Sequence, residues 1–143
     1  MIPQINIFTL VDVIGALRAR TLTDNIYMTD NGRGSRTSGQ GTGLLSTEVT
    51  YYQVLNWHVA SIDVQTEIQI DTISFYQNGA LVTRPDTPCA HLKKYGAPSG
   101  QYWAGVINFP ELIQGGLYQY KMTFAIGGRK MAMDQFASIN IFA

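Results

Sequence analysis

Leu117-Tyr118-Gln119-Tyr120-Lys121-Met122-Thr123-Phe124-Ala125-Ile126-Gly127-Gly128 is the stretch that decides the fold class. Its even positions up to 126 are aromatic or aliphatic, while its odd positions include Gln119, Lys121 and Thr123. Successive side chains on a strand point to opposite faces, so this spacing predicts one dry face and one wet face. The Gly-Gly pair that follows suits a two-residue hairpin, whose tight turn needs positive φ. The chain is then expected to return through residues 129–134 and to end in a strand over 136–142.

Weaker versions of the same pattern lie upstream. Residues 4–13 are rich in Ile, Val, Phe and Thr, and 25–29 form a short apolar run. Residues 53–60 place Leu55, Trp57 and Val59 on one face. Residues 67–76 alternate but slip phase: Ile68 and Ile70 are even, Ile73 and Phe75 odd. A bulge near Asp71-Thr72 accounts for the slip. Residues 102–109 read as a strand that Pro110 ends. The span 81–100, with Pro85, Pro88 and Pro98, reads as loop, and no helical periodicity persists beyond two turns. Residues 18–24 and 110–114 are each expected to form one turn.

About seven strands separated by turn signals predict an all-β chain. The expectation is a single domain over 1–143, an antiparallel β-sandwich, immunoglobulin-like or jelly-roll-like. Trp57 at mid-strand and Tyr118 or Tyr120 as a tyrosine corner favour the immunoglobulin-like form. The alternative is that these are ordinary core aromatics of another sandwich.

Composition narrows the function classes. Lys+Arg and Asp+Glu number ten each, and charged residues make up only 14% of the 143-residue chain, well below the usual quarter. A neutral chain has no electrostatic pull on nucleic acid or anionic membrane, and little repulsion between copies. A homo-oligomer is therefore expected, with no nucleic-acid partner and no membrane insertion. The lone Cys89 cannot form an internal disulfide, which suits a reducing compartment. The apolar N-terminus lacks a basic start and carries Asp12 within it, so it reads as a strand rather than a signal peptide, and the expected location is cytoplasmic.

No reaction follows from the residue types. The glycines at 32–34 and 39–43 lack the Gly-Lys-Ser/Thr and βαβ contexts of phosphate-binding loops, and read as a loop using positive φ. Copper would draw on His58, His91 and Cys89, and no ligand cysteine ends the 117–126 strand. Cys89 beside His91 lacks an orienting third group on a rigid scaffold, so no catalytic residue is assigned. Asp30, Asp63 and Asp134 lie near strand ends. If their loops converge, Asp30 and Asp63 are weak calcium candidates with Asn31 and carbonyl oxygens. The competing reading is that each aspartate caps its own turn. For a sugar, planar amides beside an exposed aromatic would serve, and the candidate ligand-binding residues are Asp30, Asn31, Gln40, Asp63 and Trp103, with Tyr102 alongside; the competing reading of Trp103 is a tryptophan of the sandwich core.

One resemblance joins these pieces. Asn25-Ile26-Tyr27-Met28, Asp30-Asn31, Ser38-Gly39-Gln40-Gly41-Thr42 with Leu44, Trp57, and Ser61-Ile62-Asp63 occur in an order that resembles the AidA/PixA inclusion body protein family. Tyr118-x-Tyr120, Gly127-Gly128, Asp134-x-Phe136 and an apolar first strand carrying Asp12 extend the likeness over nearly the whole chain. Gln135 stands where that family usually has proline, and the turn before Trp57 lacks its Gly-Asp. The resemblance implies a small bacterial non-enzyme of cytoplasmic inclusions, in some members under quorum-sensing control and linked to host interaction. It carries over no catalytic residue. A self-associating, lectin-like binder of glycans through loops at one end of the sandwich is the resulting expectation, and a purely structural storage protein is the alternative.

Overall fold

The structure, a computed structural model, describes residues 4–32, 37–50, 53–63, 65–77, 80–81, 93–97, 100–106 and 116–142. These form two sheets and one short helix: β1 Ile5–Val11, α1 Val13–Ala19, β2 Ile26–Asp30, β3 Ser46–Thr50, β4 Val54–Ser61, β5 Ile68–Gln77, β6 Ala80–Leu81, β7 Lys93–Ala97, β8 Gly100–Val106, β9 Gly116–Ile126, β10 Arg129–Ala132 and β11 Ala137–Phe142. The first sheet runs β2-β1-β4-β8-β7. The second runs β3-β11-β9-β5-β6, with β10 also on β9. The chain is thus all-β and sandwich-like, as expected.

The opening stretch behaves as its alternation demands. Every second residue of β9 from Tyr118 to Ile126 is buried. Gly127-Gly128 closes a two-residue hairpin in which Arg129 faces Ile126, and Gly127 takes φ 59°. The register of β5 on β9 shifts between Ile70 and Thr72, where the phase slip called for a bulge.

Three features depart from the sequence reading. Two pairs are parallel, β1 with β4 and β3 with β11, so the sheets are mixed. Pairing between strands far apart in sequence leaves no local signal of direction. The short strand β7 lies within the span expected to be loop, paired with β8. The first strand stops at Val11, and Asp12 caps α1 by accepting the Gly15 N–H at 3.0 Å. Val13 and Ile14 prolong a β-like composition, yet an N-cap aspartate satisfies an otherwise orphaned helix donor. Arg20 then ends the helix in the left-handed region, and Asp12 N–H bonds to Asn25 O at 2.9 Å, folding the connection back to β2. The one-turn expectation for 110–114 lies outside the described residues.

The core joins the inner faces of both sheets. Trp57 of β4 meets Phe75 and Tyr120 of the second sheet edge-on, with ring centroids 6.1 and 5.8 Å away. Ile7, Leu55, Met28, Met122, Phe124 and Ile139 close around them, all fully buried. Each large apolar side chain so enclosed contributes about 1.5–3 kcal/mol. Among the described residues no helix is long and apolar enough to cross a membrane.

Candidate functional site

Within the polar segment after β2, residues 37–42 run along the sandwich edge, between β2 at the margin of one sheet and β3 at the margin of the other. On the outer side of β2, Met28 N–H donates to Thr42 O at 3.3 Å, and Gly41 N–H donates to Met28 O at 2.7 Å. Asp30 N–H donates to the Gln40 side-chain oxygen at 3.0 Å. On the outer side of β3, Ser38 and Ser46 exchange backbone bonds of 3.0 and 2.8 Å, and Glu48 N–H donates to Thr37 Oγ1 at 3.2 Å. Residues 37–42 therefore satisfy two strand edges at once. Unpaired edges invite pairing with another chain, and covering them is a common remedy.

Asp30 is the clasp of this segment. Its Oδ1 accepts the Gly32 N–H at 2.9 Å and the Gln40 amide at 3.0 Å, while Oδ2 accepts the Thr47 hydroxyl at 2.6 Å. Thr47 is fully buried on β3, so this last bond ties one sheet to the other. Gly39 turns the segment with φ 76°, and a Cβ there would lie 2.6 Å from Leu44 O. The glycine-rich composition thus serves backbone geometry, as read from the sequence.

Beneath the clasp lie two orphaned polar atoms. Trp57 Nε1 and Tyr120 Oη are buried, and neither forms a hydrogen bond of ordinary geometry among the described residues. Burial pushes the Tyr120 phenol far above its ordinary range; the adjacent indole opposes that shift and the Asp30 charge adds to it. Such a phenol stays protonated at every physiological pH.

The other site candidates are scattered. Asn31 extends the β1–β2 ladder: its Oδ1 accepts the Asn6 N–H at 2.7 Å and its own N–H donates to Asn6 O at 3.2 Å. Asn6 Oδ1 in turn accepts from the Asn56 amide at 3.1 Å. Asp63 caps its own turn, accepting Gln65 N–H at 3.1 Å and Thr66 Oγ1–H at 2.9 Å. Those bonds, the Gln65 one foremost, hold its carboxyl below the usual aspartate range. Asp134 joins the β10–β11 turn to the connection after α1, accepting from the Thr21 hydroxyl and from Leu22 N–H.

Two expectations need correction. Asp30 and Asp63 do not converge. Asp30 pairs with Ile7, which pairs with Trp57, whereas Asp63 follows Ser61, the last residue of that same strand. At about 3.3 Å per residue the run from Trp57 to Ser61 alone sets the two aspartates roughly 13 Å apart along the sheet, towards its opposite ends. Among the described residues no group of three or more His, Cys, Asp or Glu is placed to hold a metal. Trp103 is not an exposed stacking platform. It pairs directly with Trp57, which turns both indoles inward, and its Nε1–H donates to Ile70 O at 2.9 Å. Only 5% of it is exposed. Cys89 and His91 lie outside the described residues. Sequence reasoning missed Thr47 and Asn56, because a polar residue in a strand gives no sign of which partner it meets across the sandwich.

The sequence pattern of a family described as Domain of unknown function (DUF8788) matches residues 3–132. No curated protein matches the chain in sequence. The fold matches the crystal structure of the inclusion body protein PixA from Burkholderia cenocepacia with a TM-score of 0.66 at 16% identity, covering 100% of this chain and 96% of that one. The resemblance noted in the sequence therefore holds at the level of the fold, from end to end.

Proposed function

The chain belongs to the DUF8788 family, and from that premise, joined to its end-to-end likeness to the PixA fold, we propose that it is a non-catalytic, inclusion-body-type protein that packs with copies of itself. One observation carries this reading: a protein described as an inclusion body protein shares the fold over 100% of this chain and 96% of its own. The balance of ten basic against ten acidic residues supports it, since close packing of copies meets no net repulsion.

Self-packing displaces glycan binding as the leading reading. Exposed amides at Asn31 and Gln40 favour a sugar site, but both are engaged in strand-edge bonds, and Trp103 is enclosed. A polar group already paired within the protein must lose that bond before it serves a ligand. Light scattering over a concentration series tests the proposal, with a glycan array run with and without Ca²⁺ beside it. Growth of particle mass with concentration and a blank array are the expected results. A monodisperse monomer throughout, or saturable glycan binding abolished by Gln40→Ala, would overturn it.

A further inference from the structure

We infer that the outer face of the first sheet along β1 and β2, continued by the exposed side of α1, is the surface on which a second copy of this chain packs. This inference rests on the self-packing reading and supplies the surface for it.

Eight large hydrophobic residues are exposed among the described residues: Phe8, Leu10 and Tyr27 belong to the strands of this face, Ile14 and Leu17 follow the end of β1 in the chain, and Ile62 is bonded to that end. Phe8 and Leu10 point outward from β1, with 50% and 46% of their surface open to solvent. Tyr27 lies directly across from Leu10 on β2. Ile14 and Leu17 are three residues apart on α1, just past the end of β1, so they share a side of the helix. Ile62 is held against that same end, its N–H donating to Val11 O at 3.0 Å. The remaining two, Leu44 and Leu117, belong to the edge segment and to the other sheet.

The size fits a dimer. The six expose on the order of 500 Å² of apolar surface, since large side chains carry roughly 150–250 Å² each. A standard interface takes about 800 Å² from each partner, a little over half of it apolar. The largest apolar patch of a typical monomer is of this order, about 300–600 Å², and is often functional.

The chemistry fits a copy of the same chain. β1, β4 and β8 carry no Asp, Glu, Lys or Arg, so the middle of the face can be covered without stripping water from an ion. His58 stacks flat on Phe8, centroids 4.7 Å apart and planes 16° from parallel, and partial burial lowers its pKa, which favours the uncharged ring. Arg18, Arg20 and Asp24 are exposed on α1 and the connection to β2, and an interface tolerates charge at its rim. A neutral molecule meets its own copy without repulsion, and a two-fold axis lets one apolar patch serve both partners. The rival route, strand addition at β2, is closed by the clasped segment on that edge.

Sedimentation equilibrium on the full chain tests the inference, comparing wild type with Leu10→Glu/Tyr27→Glu and with Leu117→Glu on the opposite sheet as control. The expected result is a wild-type dimer, an unaffected control, and a Kd raised about 100-fold or more in the double variant, since each copy must bury two unpaired carboxylates. A dimer that survives the double variant would overturn this face while leaving self-packing intact. A wild-type monomer at all concentrations would overturn both. Should the double variant misfold by circular dichroism, concentration-dependent amide shifts in the unaltered chain decide: shifts at Leu10, Tyr27, Ile14 and Ile62 support the face, and shifts confined elsewhere refute it.

Discussion

The edge segment and the outer face of β1 make opposite use of their side chains. The segment from Asp30 to Thr47 is polar and glycine-rich, with the look of a binding loop, yet its Asp30, Gln40 and Thr47 side chains pair within the molecule. The face around Phe8, Leu10 and Tyr27 offers no cluster of polar groups to suggest a site, yet about half of the surface of each of these side chains stays open to solvent. Polarity alone does not mark a site; what matters is the bonding capacity or apolar area left over once the chain has folded.

The largest effect is expected where the segment rests on the core. Trp57→Ala should destabilise the fold by about 3–5 kcal/mol in chemical denaturation, because the cavity beneath the clasp cannot close. A loss under about 1 kcal/mol would mean that the indole is not the support assigned to it.

Next in size is the clasp itself. Asp30→Ala strands the buried Thr47 hydroxyl, the Gly32 N–H and the Gln40 amide, and should cost about 2 kcal/mol. It should also raise hydrogen exchange at the Met28 and Asp30 amides, as the segment lifts from β2. Unchanged exchange there would break the comparison, because the segment would then hold without its carboxylate.

His58 sharpens the other side. Its pKa is lowered by burial in the folded chain, so the unfolded chain binds more protons between that value and the ordinary 6.5. Stability should therefore be full above pH 6.5 and fall as the pH drops through the folded-state pKa. An NMR titration placing the imidazole at or above 6.5 would contradict the packed, uncharged face drawn here.

Asp63→Asn should matter least. Its carboxyl is held low by the Gln65 and Thr66 bonds, so the wild type has a small stabilisation present above the ordinary aspartate pKa and lost as pH falls through the lowered one. The variant should match wild type in acid and fall only slightly below it at pH 7, in thermal melts at both pH values. A large neutral-pH loss would show that this turn carries more than its own cap.

Much of the fold was legible because sheet formation writes itself locally. The alternation of 118–126, the Gly-Gly turn and the phase slip at Asp71 each depend on residues a few positions apart, and each appears in place. The caps were legible for the same reason: an aspartate that binds its own turn, as Asp63 does, needs nothing distant. Asp12 was visible as a break in an apolar run, but its part as a helix cap was obscured by the β-branched Val13 and Ile14 that follow.

The candidate site was less legible. Asp30, Asn31 and Gln40 were found as a group, and Asp30 with Gln40 does form a unit. Their task depends on Thr47 and on the free edges of β2 and β3, which no short window reveals. Trp103 stayed open between an exposed platform and a core residue, because one-strand periodicity does not show which face its neighbour Trp57 imposes. The apolar face of β1 went unremarked because Phe8 and Leu10 looked like core residues of a first strand.

By itself the sequence determined the strand-rich class, the Gly127-Gly128 hairpin, the bulge and the buried Trp57, since side-chain alternation and turn chemistry act over a few residues. Only the tertiary structure decided that two strand pairs run parallel, that Asp30 and Asp63 stand towards opposite ends, and that the polar segment seals an edge while an apolar face stays open. Those outcomes depend on which distant strands meet, and that is settled by closing one core between two sheets.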